Sequence, residues 1–217
     1  MPQPPFSNNP GSQSLSRSAV LLTGFGPFPG VTDNASARLA LATAVRGRRE
    51  FSGYNFHATI LPTEWARAPE RLTALLNDLR PVLALHFGVT REARGFRIET
   101  LGRNVCRNAA DAAGVQPQAS HLIRGAPAEL STNLPVAAIA KRLEALGHPV
   151  SISDDAGRYI CNAVLYRALH HTGQKRHPCR VGFVHVPVDL AGPPLTFAAA
   201  VDGSLEIIRT CLDCRQP

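Results

Sequence analysis

Alternating strand and helix signals along the chain predict an α/β fold, a mostly parallel sheet covered by helices on both faces. Three observations carry this expectation. Continuously apolar runs such as Val82-Leu83-Ala84-Leu85-His86-Phe87 read as strands buried on both sides. Between such runs lie segments with apolar side chains at helical i, i+3, i+4 spacing. The 217 residues suffice for one full core, and no internal repeat or linker divides them.

The elements follow in order. Residues 1–17 are rich in Pro, Ser, Asn and Gln and read as a disordered leader, with one α/β domain over 18–217. Order is expected from Ser18, with Ala19 to Leu22 as a short buried strand. Helical periodicity spans Ala35 to Val45, and Tyr54 to Leu61 reads as a strand. A helix from Trp65 to Leu79 ends at Arg80-Pro81, because a residue before proline is steered out of the α region. Val82 to Phe87 is the next strand and Gly95 to Leu101 another, followed by a loop or hairpin from Asn108 to Arg124. A helix over Leu134 to Leu146 and a strand over Val150 to Ser153 precede the acidic turn Asp154-Asp155-Ala156-Gly157. That turn opens a helix carrying Cys161, with Asp154 or Asp155 as its cap and Gly173 as its stop. Val181 to Val186 is the last strand, and the last helix lies within Leu195 to Cys211.

Composition narrows the functional classes. With 44% hydrophobic and 18% charged residues, the chain is neither disordered nor fibrous. The net charge of +7 raises nucleic acid as a partner, but the basic residues are scattered into small groups. Arg46, Arg48 and Arg49 form one, and Arg91, Arg94 and Arg97 another. Without a zinc knuckle or an aromatic-studded basic strand, no specific nucleic-acid partner is expected. The five cysteines are odd in number and irregularly spaced, and the N-terminus lacks a basic region followed by an apolar one. Reduced thiols in a cytoplasmic setting are therefore expected. Cys211 and Cys214 form a lone Cys-x-x-Cys, read as two helix residues rather than a zinc site. No apolar run has membrane-spanning length, so no membrane partner is expected.

Chemistry concentrates at the carboxyl ends of the strands, where sites form in sheets of this kind. Cys161 follows the strand ending near Ser153 and sits just inside a helix, whose orphan N–H groups favour a thiolate; the neighbouring aspartates oppose it. His185 lies at the end of its own strand. Thr23-Gly24-Phe25-Gly26-Pro27-Phe28-Pro29-Gly30 occupies the place of a phosphate-binding loop, but two prolines remove the N–H groups such a loop needs. It offers instead Phe25 and Phe28, two held aromatics suited to a small flat ligand.

Several segments together resemble the pyroglutamyl peptidase I family, the pyrrolidone-carboxylate peptidases, which are cysteine peptidases. They are Thr23-Gly24-Phe25 with Pro27-Phe28 and Asn34, then Leu61-Pro62-Thr63, then Glu99 with Asn104. Ala156-Gly157 with Tyr159-Ile160-Cys161-Asn162 and Gly182-Phe183-Val184-His185-Val186-Pro187 complete the series, in the family's order. The resemblance implies a three-layer α/β/α sandwich around a mostly parallel twisted sheet. It implies hydrolysis of the amide after an N-terminal pyroglutamyl residue, with Cys161 as nucleophile, His185 as general base and Glu99 orienting the imidazole. It implies a substrate site including Phe25, Phe28, Asn34 and position 89, no metal or organic cofactor, a small peptide or acyl-amide substrate, and a homo-oligomer, often a tetramer. Three positions depart from the family: Val89 stands where a glutamine binds the lactam, Gly26 replaces a frequent glutamate, and Val188 replaces an aromatic. Two further readings accompany the first: an amidase of altered acyl specificity, and a non-catalytic relative that binds a small ligand.

Overall fold

The computed structural model describes residues 17–175 and 178–214. The leader expected over 1–17 lies, but for Arg17, outside them. The chain runs β1 (Ser18–Phe25), α1 (Ala35–Glu50), β2 (Tyr54–Leu61), α2 (Arg67–Leu79), β3 (Leu83–Thr90), β4 (Phe96–Glu99) and β5 (Leu101–Arg103). It continues through β6 (Glu129–Ser131), α3 (Val136–Ala145), β7 (Val150–Ser153), α4 (Ile160–Gly173), β8 (Arg180–Pro187) and α5 (Phe197–Asp213). Six strands form one sheet in the order β2-β1-β3-β8-β4-β7. The first four are parallel; β4 runs antiparallel to β8 and parallel to β7.

Strand alternation builds the three layers. Val20, Leu22, Leu83, Leu85 and Phe87 face one side and pack with α1, α3 and α5. Leu21, Ala84, Val181 and Phe183 face the other and pack with α2 and α4. Both faces of β1, β3 and β8 are thereby removed from water, as their unbroken apolar runs require.

Two local expectations are corrected. The segment expected as one strand from Gly95 to Leu101 divides: β4 stays in the main sheet, while β5 leaves it to pair with β6, a three-residue strand that carries no apolar run of its own. Nor does Asp154 or Asp155 cap α4. Its N-cap is Tyr159, without a side-chain cap bond. The Asp155 carboxylate instead accepts the Gly157 N–H at 3.0 Å, and Gly157 turns the chain with φ +78° before the helix begins.

Candidate active site

Cys161 is the second residue of α4 and is half-buried above β3. The space for its sulfur comes from a glycine. Gly88 pairs with His185 across β3 and β8, and a Cβ there would lie 3.1 Å from Cys161 Sγ and 2.7 Å from the Phe183 ring. Asn162 fixes the start of the same helix. Its side chain accepts from Arg103 N at 2.8 Å and donates to the carbonyls of Arg103 and Val105 at 2.8 and 3.1 Å. The first helical N–H to find a partner there is that of Ala163, bonded to Tyr159 O, so those of Ile160, Cys161 and Asn162 precede the intrahelical ladder.

His185 is buried near the end of β8, its ring 4.8 Å from that of Phe183 between centroids. Its Nδ1 lies 2.7 Å from Glu99 Oε1. A carboxylate acceptor there assigns the proton to Nδ1 and leaves Nε2 as the free base of the neutral ring. Burial disfavours the imidazolium, but interactions with Cys161 and Glu99 outweigh it and hold His185 up at about 9. Glu99 is 0% exposed, not the solvated strand residue that its position alone suggests. Its Oε1 also lies 3.2 Å from Arg97 Nε, while Oε2 is buried without a partner.

A cavity of about 300 Å³ opens over these groups and brings together every site residue expected from the sequence. Cys161, His185 and Glu99 line it, as do Phe25, Phe28, Asn34 and Val89. The two phenylalanines differ in kind. Phe25 is almost wholly buried and packs 6.1 Å from Phe183, whereas Phe28 is half-buried in a turn closed by mutual backbone bonds with Val31. Asn34 spends its amide on the loop: Nδ2 donates to Gly26 O at 3.0 Å, and Oδ1 caps α1 by accepting from Ser36 N and Oγ. Thr63 donates to the same Gly26 carbonyl at 3.1 Å. Asn34 thus shapes the aromatic loop as well as lining the cavity.

Gly88 and Arg97 are parts of the site that the sequence did not mark. The need for glycine at 88 depends on strand pairing and is invisible in one sequence. Arg97 did leave a signal, since side chains two apart on a strand share a face and Arg97 stands two before Glu99. Among the described residues, no group of three or more His, Cys, Asp or Glu is arranged to hold a metal ion, and no helix is long and apolar enough to cross a membrane. Cys211 is buried on α5, whereas Cys214 is the half-buried C-cap one residue past it, so only the first of the pair is a helix residue.

Comparison with known proteins gives one consistent result. The family model for pyroglutamyl peptidase matches residues 18–191. The pyrrolidone-carboxylate peptidase of Pyrococcus furiosus is 34% identical over 171 residues, covering 77% of this chain and 80% of that protein. The pyrrolidone-carboxylate peptidase of Yersinia pestis is 32% identical over 197 residues, covering 87% and 89%. A solved structure of pyrrolidone carboxyl peptidase from Pyrococcus furiosus superposes with a TM-score of 0.81 at 28% identity, covering 90% of this chain and 98% of that one.

Proposed function

The chain belongs to the pyroglutamyl peptidase family, and on that premise we propose that it releases an N-terminal pyroglutamyl residue by acyl transfer through Cys161, His185 and Glu99. The observation that carries this reading is the meeting of the three side chains at one cavity, with His185 Nδ1 held 2.7 Å from a fully buried carboxylate.

His185 takes the thiol proton on Nε2 to give a thiolate–imidazolium pair, and the Cys161 sulfur attacks the pyroglutamyl carbonyl carbon. A C–S bond forms and the carbonyl oxygen becomes an oxyanion, for which the N–H groups of Ile160, Cys161 and Asn162, which precede the intrahelical ladder of α4, serve as donors in this reading. As the intermediate collapses, the C–N bond breaks and the imidazolium gives its proton to the departing amine. Glu99 stabilises the imidazolium and keeps its Nδ1 protonated throughout. Water then adds to the thioester, His185 accepts its proton, and the C–S bond breaks to release pyroglutamate and restore the thiolate–imidazolium pair.

Phe25 and Phe28 supply apolar walls for the five-membered ring. Val89 offers no side-chain amide at the place where the family resemblance implies a glutamine, so in this reading backbone groups take over the lactam contact. Steady-state kinetics on paired pyroglutamyl and prolyl amides test this. Faster turnover of the pyroglutamyl amide is the expected result. Equal turnover of both means that the lactam is not read, and hydrolysis of neither by folded protein overturns the proposed reaction.

A further inference from the structure

We infer that Arg97 is a positioning residue of this site, a guanidinium clamp that sets the orientation of Glu99 and the proton affinity of His185. The inference rests on the triad reading above. In the antiparallel register between β4 and β8, Arg97 stands directly opposite His185, and directly opposed residues project from the same face. Glu99, two residues along β4, shares that face. Arg97, Glu99 and His185 therefore form one cluster dictated by strand pairing.

The contacts are specific. Arg97 Nε lies 3.2 Å from Glu99 Oε1, the oxygen that bonds His185 Nδ1. Its Nη1 lies 2.9 Å from Glu92 Oε2 in the turn before β4, and its Nη2 donates to Asp155 O at 3.4 Å in the turn before the cysteine helix. One side chain thus ties together the triad carboxylate, the wall of the cavity and the turn leading to Cys161. Glu99 needs such a tie: its Oε2 is buried without a partner, so the imidazole alone would leave the carboxylate hinged on a single bond. With 23% of its side chain exposed, Arg97 is embedded enough to be held and is not a freely solvated charge.

The clamp has an electrical consequence. Two cations share one carboxylate oxygen, so Arg97 opposes the proton on His185 that Glu99 favours. The other titratable and charged groups around this pair are Cys161 and Tyr159 at the start of α4, Asp155 in the turn before it, Glu92 at the β3–β4 turn and Arg107 on the far rim. His86 lies 6.4 Å from the Phe183 ring between centroids, and that ring is 4.8 Å from His185. Of the guanidinium groups at the cavity, Arg97 alone is bonded to Glu99.

Two variants and two measurements test this. Arg97→Met removes the charge and the fork, while Arg97→Lys keeps the charge alone. The titration of His185, followed by imidazole NMR without substrate, is expected to move upward by roughly one pH unit in Arg97→Met and to stay in place in Arg97→Lys. With a pyroglutamyl amide, kcat is expected to fall about 10- to 100-fold in Arg97→Met, with KM changing little, and to recover in part with lysine. A folded Arg97→Met protein with the wild-type titration and kcat overturns the inference and reduces Arg97 to a rim ion pair. If the methionine variant does not fold, lysine decides: reduced kcat with an unmoved titration supports the clamp, and wild-type kcat overturns it. Because the titration needs no substrate, it separates failure of the clamp from failure of the proposed reaction.

Discussion

Glu99→Gln removes one charge from the buried end of the site and almost nothing else. The magnitude of its effect follows from the contacts. His185 is held at about 9 against an ordinary 6.5, a difference corresponding to about 3 kcal/mol of preference for the charged ring. Cys161 and Glu99 share the favourable part of that balance, against burial. A glutamine at 99 would keep its amide oxygen toward His185 Nδ1 and Arg97 Nε, because both atoms are donors at the position of Oε1. The imidazole therefore keeps the right tautomer and loses only its counter-charge. A loss of about 10²- to 10³-fold in kcat/KM is expected, short of the roughly 10⁴-fold that a wrong tautomer costs in a serine protease. The assay is kcat/KM for a pyroglutamyl amide across pH 6–10 for wild type and variant, using roughly unit pH steps. The alkaline limb, where His185 loses the proton needed by the leaving amine, should fall from about 9 toward the ordinary imidazole range. The sign for stability is the same. A raised folded-state pKa contributes stability that is full below 6.5 and lost as pH rises through about 9, so the variant should lose less stability over that interval than the wild type. Retention of wild-type kcat/KM with an unmoved alkaline limb would refute this assignment of Glu99.

Other perturbations probe the scaffold. His86 is fully buried, with Nδ1 2.8 Å from Thr23 Oγ1 and Nε2 unpartnered, and burial pulls it down to about 3. Above pH 6.5 it contributes nothing to pH dependence; below, the unfolded chain binds a proton that the native state refuses. About 2 kcal/mol of stability should disappear by about pH 5, and urea titrations should show that loss shrinking in His86→Asn. Gly88→Ala places a methyl against Cys161 Sγ and the Phe183 ring, so kcat should fall by about 10-fold or more, with reduced thermal stability measured in parallel. Val89→Gln adds a side-chain amide at position 89 of the cavity and should raise the preference for pyroglutamyl over prolyl amides by about 10-fold; an unchanged ratio means that the groups already present suffice.

How much of this was legible in the sequence depended on the range of the interaction. The bounds of β2 and β7 match those read from the chain because local apolar pattern and flanking turns define them. Helix α1 runs past the expected Val45 to Glu50, where polarity hid the period; Arg46 and Glu50 form an i,i+4 pair at 2.8 Å on its exposed side. Strand β6 went unseen because three residues paired only with β5 have no signature of their own. In the site, Cys161, His185, Glu99 and the aromatic loop were recognisable as ordered segments, and the fold brings them to one cavity. The reversal of β4 was not legible, and with it went the placement of Arg97 beside His185. The glycine beneath the sulfur was hidden for the same reason, since it depends on which strand lies next to which.

The central claim, that Cys161 is the nucleophile of a pyroglutamyl peptidase, is tested most directly by hydrolysis of a fluorogenic pyroglutamyl amide. Wild type and Cys161→Ser would be prepared identically under reducing conditions and shown to be folded. Turnover by the wild type that vanishes in the serine variant is the expected result. Undiminished turnover by Cys161→Ser would contradict the assignment of the nucleophile, and absence of turnover by the folded wild type would contradict the assignment of the reaction.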